Sequence, residues 1–149
     1  MKQGDRIPAI LGTDQNGKLH QASDYAGRKL IIYFYPKDNT PGCTAEACSL
    51  SDGYGLLRKA GFSLLGVSKD SAASHTKFAD KYNLPFPLIA DVDHTLQEQF
   101  GVWREKKMAG RVYMGTVRTT FIIDEQGVVT HVIEKINTKD HARQILDLL

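Results

Sequence analysis

Cysteine is scarce in this chain. Cys43 and Cys48 are its only two among 149 residues, too few for the disulfide framework of a small secreted domain and too few for a structural zinc site. Five prolines and no low-complexity tract exclude a collagenous or disordered chain. An excess of one charge is also lacking: 19 Lys and Arg oppose 17 Asp and Glu for a net charge of +2, with the signs interleaved, so nothing points to a nucleic-acid partner. Long hydrophobic runs are missing too. The longest, Leu30 to Tyr35, has six residues, where a membrane span needs roughly 20 and a secretory leader roughly 7 to 15. A cytoplasmic location without a membrane partner is therefore expected. The length, with no repeat or linker, predicts a single domain over residues 1–149.

What is present alternates between strand and helix patterns. Gly4 to Leu11 and Lys18 to Tyr25 flank the turn Asp14-Gln-Asn-Gly17, which predicts an N-terminal hairpin. Leu30 to Tyr35, apolar and aromatic throughout and closed by Pro36, predicts a central strand buried on both faces. Thr40-Pro41-Gly42 stands where an N-cap and first helical turn belong, predicting a helix to about Lys59 that Gly53 and Gly55 weaken. Phe62 to Ser68 reads as a second buried strand. Ser71 opens a helix with His75, Phe78, Ala79 and Tyr82 on one face, ended by Pro85 and Pro87. A strand at Phe86 to Ala90, a helix at Thr95 to Phe100 and a strand at Thr119 to Ile123 follow. The turn Asp124-Glu-Gln-Gly127 leads into a strand from Val128 to Ile136, and a helix from Thr138 to Leu148 closes the chain. Trp103 to Thr116, with Lys106, Lys107 and Arg111, reads as a surface loop. The order predicts an α/β fold, a mixed sheet covered by helices on both faces.

The two cysteines raise the question of thiol chemistry. If Thr40 caps its helix, Cys43 lies in the first turn, where free N–H groups and the macrodipole favour a thiolate. Thr40, the Cys43 amide and a distant arginine could supply donors for developing charge. Residues five apart on an ideal helix have Cα atoms ~8.7 Å apart, whereas a disulfide needs less than about 7 Å. If Cys43 and Cys48 bond, the helix must unwind. The bland alternative is two buried small hydrophobes, against which the preceding Thr-Pro-Gly speaks. The spacing is not Cys-x-x-Cys, which disfavours a dithiol reductase of the thioredoxin type. His75 reads as a satisfied core or edge histidine, and His20, His94, His131 and His141 fall in turns and surfaces, so no metal or cofactor site is expected. The segment Gly110 to Gly115 matches no phosphate-binding pattern. Arg118, opening the otherwise uncharged run Val117 to Ile123, reads locally as an exposed strand-end arginine.

Pro36-Lys-Asp-Asn-Thr40-Pro-Gly-Cys43 resembles the Pro-x3-Thr-x2-Cys signature of the peroxiredoxins. Thr44-Ala-Glu46-Ala-Cys48 resembles their bacterioferritin comigratory protein, or Q-type, branch. Tyr33-Phe-Tyr-Pro36, Asn83-Leu-Pro-Phe-Pro-Leu88, Phe100-Gly-Val-Trp103 and Arg118-Thr-Thr-Phe-Ile-Ile-Asp124 are similar to that branch in the same order. The resemblance implies a thioredoxin-like fold with an N-terminal hairpin, and thiol-dependent reduction of hydrogen peroxide and alkyl hydroperoxides. It implies that Cys43 is the peroxidatic nucleophile and becomes a sulfenic acid, with Thr40 bonding thiolate and peroxide, Pro36 shielding the sulfur and Arg118 stabilising the anionic centre. That moves Arg118 from a strand end into the pocket, and leaves Glu46 a supporting role. Cys48 matches a resolving cysteine, implying an intramolecular disulfide reduced by thioredoxin. An intrachain cycle needs no dimer, so a monomer is expected, with a dimer as the alternative. A competing reading from another class is a peroxide-sensing redox switch or thiol-regulated binding protein.

Overall fold

The computed structural model describes residues 1–149. The strands are β1 (Ile10–Thr13), β2 (Leu19–Gln21), β3 (Lys29–Phe34), β4 (Phe62–Ser68), β5 (Leu88–Ala90), β6 (Trp103–Met108), β7 (Arg111–Thr116), β8 (Thr119–Ile123) and β9 (Val129–Ile133). The helices are α1 (Pro41–Asp52), α2 (Tyr54–Lys59), α3 (Ala72–Tyr82), α4 (Thr95–Gln99) and α5 (His141–Asp147). No helix is long and apolar enough to cross a membrane.

The central sheet has the order β5-β4-β3-β8-β9, with β3 parallel to β4 and antiparallel to β8. Because side chains alternate along a strand, Ile31 and Tyr33 face one layer while Leu30, Ile32 and Phe34 face the other. The first layer is filled by α1, α2, α3 and α5 through Ala47, Leu50, Leu57, Phe78 and Ile145. The second is filled by α4 and the N-terminal segment through Leu96, Phe100, Ile7 and Leu11. Residues 30 to 34 are fully buried, so the run that could not be amphipathic is the one covered on both sides. This is the expected α/β, thioredoxin-like arrangement with an N-terminal β-hairpin.

Gly66, opposite Tyr33 in β4, admits the tyrosine ring: a Cβ there would sit 2.9 Å from it and 2.8 Å from Leu88. Ser71 caps α3 by accepting from the Ser74 N–H at 3.2 Å, and Asn83 ends it in the left-handed conformation, φ 51°.

Several elements differ from the sequence expectation, among them the strands foreseen at Phe86 to Ala90 and Val128 to Ile136, which are shorter, at Leu88–Ala90 and Val129–Ile133. The helix foreseen from Thr40 to Lys59 breaks at Gly53, where a Cβ would overlap that of Ala142, so α5 docks into the break. The N-terminal hairpin is shorter than expected, and Ala22–Tyr25 forms a 3-10 turn pinned by the His20 ring between the Asp14 carboxylate and the Tyr25 hydroxyl, each 2.7 Å away. The last helix starts at His141 rather than Thr138. The expected loop from Trp103 to Thr116 is a regular hairpin, β6 with β7. Its two-residue turn, Ala109-Gly110, has φ of 51° and 79°, the positive values that a tight hairpin turn demands. Alanine there hides the turn from a reader looking for Asn-Gly or Asp-Gly, and the solvent-facing Met108, Val112 and Met114 spoil any polar alternation.

Candidate active site

Past the end of β3 the chain turns through the half-buried Pro36 and enters α1 at Pro41, whose missing N–H costs nothing in a first helical turn. Thr40 holds the N-cap position with extended backbone, φ −94° and ψ 156°, but its hydroxyl donates to the Lys37 carbonyl at 2.9 Å and makes no cap bond. The expected side-chain cap is therefore absent, because the hydroxyl closes the preceding turn instead. Cys43 sits in the first turn of α1, where backbone N–H groups lack intrahelical acceptors. It is 1% exposed, in the layer containing Tyr33, Tyr35 and Ala47.

The turn before α1 is fastened from below. The Asp38 carboxylate accepts from the Tyr35 hydroxyl at 2.6 Å and from the Ser74 hydroxyl at 2.8 Å, and lies 2.7 Å from His75 Nδ1. The Asp38 N–H donates to Asp70 at 2.8 Å. His75 Nε2 meets the Ile89 carbonyl at 2.9 Å, so His75 is the satisfied core histidine that its helix position predicts. Asp38, Asp70 and His75 are close enough to share a cation, with ligand atoms within 4.8 Å of one another, but their hydrogen bonds already account for the cluster.

Arg118 is where the local reading fails. Antiparallel pairing sets Thr119 beside Phe34, and so brings the residue before β8 to the end of β3 and the start of α1. There Arg118 Nη2 donates to Cys43 Sγ at 3.3 Å and Nη1 to Glu46 Oε1 at 2.5 Å. Its side chain is 23% exposed, covered rather than free at a strand end. Gly42 makes the approach possible, since a Cβ there would lie 3.2 Å from Nη2. Burial works against the charge of Arg118, yet Glu46 and Cys43 hold the guanidinium above its ordinary value.

Glu46, one turn after Cys43, is wholly buried. Burial pushes its carboxyl up to about 7 despite the opposing pull of Arg118. Its Oε2 has no hydrogen-bond partner and lies 3.6 Å from His141 Nε2. Cys48 is half-buried on the same helix, and both thiols are unpaired. Burial raises the Cys48 thiol above its ordinary value and the Asp52 charge adds to the effect, which keeps the sulfur protonated while the helix is intact. Cys43 and Arg118 thus meet at the start of α1, which Thr40 opens; Pro36 lies in the turn before it and Cys48 further along the helix.

Sequence reading misplaced two histidines. His20 and His141 are buried, not surface residues. The signal for His141 was present: with Ala142 and Ile145 it forms the buried stripe of α5, the i, i+1, i+4 spacing of an inward helix face. A separate cavity of about 450 Å³, bordered by Arg6, Tyr25, Leu30 and Gln126, opens at the other end of the sheet and includes none of the residues around Cys43.

Comparison with known proteins gives a concordant result. Residues 3–132 match the model of the AhpC/TSA family. The chain is 44% identical over 146 residues to a putative peroxiredoxin bcp of Coxiella burnetii, covering 98% of this chain and 97% of that one. It is 42% identical over 149 residues to peroxiredoxin Bcp of Escherichia coli K12, covering 100% and 96%. Among solved structures, a mutant of Xylella fastidiosa PrxQ aligns with a TM-score of 0.91 at 31% identity, covering 99% of this chain and 94% of that one. The bacterioferritin comigratory protein of Xanthomonas campestris, solved as a trapped intermediate/ligand complex in work on its alkyl peroxide reduction activity, aligns at 0.87 with 34% identity, covering 97% and 96%. With similarity of this extent in sequence and in fold, the chain belongs to the AhpC/TSA family, in its Bcp, or PrxQ, peroxiredoxin branch.

Proposed function

We propose that this thiol peroxidase acts through Cys43 on hydrogen peroxide and small alkyl hydroperoxides, with Cys48 completing the cycle inside one chain. The Cys43 thiolate attacks the terminal oxygen of the hydroperoxide, the O–O bond breaks, and the sulfur becomes a sulfenic acid. The departing alkoxide or hydroxide takes a proton and leaves as alcohol or water. The Cys48 sulfur then displaces water from the sulfenic sulfur, and a dithiol reductant of the thioredoxin type returns both cysteines to thiols.

One observation carries the reading: Arg118 Nη2 lies 3.3 Å from Cys43 Sγ at a helix start, so a fixed cation and free N–H groups converge where charge passes from sulfur to oxygen. In this reading Pro36, in the turn before α1, shields the sulfur from water. Thr40 bonds thiolate and peroxide after its hydroxyl leaves the Lys37 carbonyl, a rotation about one side-chain bond. The same reading makes residues 1–149 one domain, active as a monomer in the cytoplasm. Turnover with thioredoxin, its reductase and NADPH in the presence of peroxide is the test. Cys43→Ser abolishes it on this account, and undiminished activity in that variant sinks the assignment.

The peroxide-sensing reading keeps one supporting observation, the seating of α5 in the break after α1, through which unwinding would reach the surface. It predicts slow peroxide consumption and a partner bound in one redox state alone.

A further inference from the structure

The carboxyl of Glu46 is held at one oxygen and free at the other. Oε1 accepts from Arg118, while Oε2, enclosed by protein, receives no donor and faces His141 Nε2 at 3.6 Å. Geometry fixes the tautomer of that ring in its neutral form. Gln144 Nε2 donates to the Lys135 carbonyl at 2.8 Å, which turns its Oε1 toward His141 Nδ1 at 2.9 Å. An amide oxygen only accepts, so Nδ1 carries the ring proton and Nε2 presents a lone pair. The Thr120 hydroxyl, 2.8 Å away, donates to that lone pair. A lone pair repels a buried carboxylate oxygen but accepts from a carboxylic acid.

We propose that His141 is a positioning residue of the peroxide site: its Nε2 accepts the proton of a neutral Glu46, which leaves the charge of Arg118 undivided for Cys43. The inference rests on the reading of Cys43 as the nucleophile. The groups facing Glu46 are Arg118 from the segment before β8, His141 from α5, Tyr33 from β3 and Cys43 on its own helix. Arg118 is the one cation among them. With Glu46 ionised, that cation is shared between a carboxylate and a thiolate; with Glu46 neutral, it faces one anion. Contact between Oε2–H and Nε2 requires closure from 3.6 Å to about 2.7 Å and requires the Thr120 hydroxyl, now 2.8 Å from Nε2, to swing off the single lone pair. Burial sets both partners for the exchange: it pushes Glu46 up to about 7 and, with Arg118 adding to it against Gln144, holds His141 down at about 4. An acid with a raised value keeps its proton below that value and loses it as pH rises through it. His141 meanwhile stays neutral down to its own lower value. The peroxide step therefore weakens as pH rises through about 7.

The test is the single-turnover rate of peroxide consumption by the prereduced protein from about pH 5.5 to about 8.5, a range that brackets the Glu46 titration. The wild type shows a descending limb near 7. His141→Phe, with no acceptor, moves its midpoint down by about one pH unit, the equivalent of one hydrogen bond. His141→Gln, whose amide oxygen accepts, moves it back toward wild type. Glu46→Gln, which mimics the neutral acid by offering an oxygen to Arg118 and an amide N–H to Nε2, has no descending limb whatever its absolute rate. The infrared C=O band of the protonated carboxyl, absent in Glu46→Gln, titrates with the same midpoint without peroxide and follows the His141 variants. His141→Met repeats the test if phenylalanine is not tolerated. An unmoved midpoint in a folded variant lacking the acceptor, or a limb that persists in Glu46→Gln, overturns the proposal. If instead the infrared midpoint moves but Cys43→Ser still consumes peroxide, the nucleophile assignment fails and the Glu46–His141 pairing stands.

Discussion

At the scale of residues, the site depends on a side chain that is absent. Gly42 lies between Cys43 and the turn, and a methyl group there would press on Arg118 Nη2 at 3.2 Å. Alanine is a better helix former than glycine by roughly 0.8–1.0 kcal/mol in a helix interior, so Gly42→Ala favours the fold locally while displacing the guanidinium from sulfur. The expected outcome is a fall of about tenfold in the rate of peroxide reaction, equivalent to about 1.4 kcal/mol of lost transition-state stabilisation, with a melting temperature that does not fall. Stopped-flow kinetics beside a thermal melt checks both signs. Cys43, Thr40, Pro36 and Cys48 could be singled out as candidates from the sequence because they lie within one short stretch. Arg118 was placed there by the family resemblance alone, since its position by Cys43 is set by strand pairing across 75 residues of chain, and the local run around it looks like any strand start. The contacts of Gly42 with Arg118 and of His141 with Glu46 were missed for the same reason: each partner belongs to another element.

Among elements, α1 is the moving part of the proposed cycle and the sheet its frame. Cys43 and Cys48 are both within α1, and at ~8.7 Å between Cα atoms on ideal geometry they are beyond disulfide reach. Bonding them dismantles at least the first turns of the helix, where Pro41 and Gly42 contribute little to helix stability. The end of α1 is anchored differently, by α5 against Gly53 and by the His141 N–H donating to Ser49 Oγ at 3.1 Å. Gly53→Ala forces α5 away from α1 and costs about 1–3 kcal/mol as an overpacking change. Denaturant unfolding at fixed slope reads that loss, and a variant as stable as wild type contradicts the docking described. The break at Gly53 was visible in the sequence as a weakness but not as a boundary, because the side chain that fixes it, Ala142, arrives from the C-terminal helix. The β6–β7 hairpin was invisible for a local reason, its alanine in a turn position that usually takes Asn or Asp.

For the whole molecule, the arrangement places both sulfurs, the cation and helix α1 on one side of a single buried sheet. Tyr33 and Ile31 on the β3 face toward α1 are fully buried, so the core under the helix can stay packed while the first turns open. Nothing in such a cycle calls on a second chain. The direct measurement is mass spectrometry of the reduced protein after one equivalent of peroxide, with free thiols alkylated before digestion. The account predicts one intrachain Cys43–Cys48 linkage and no free thiol. A stable sulfenic acid on Cys43 beside an alkylated Cys48, or a linkage between two chains, would contradict it.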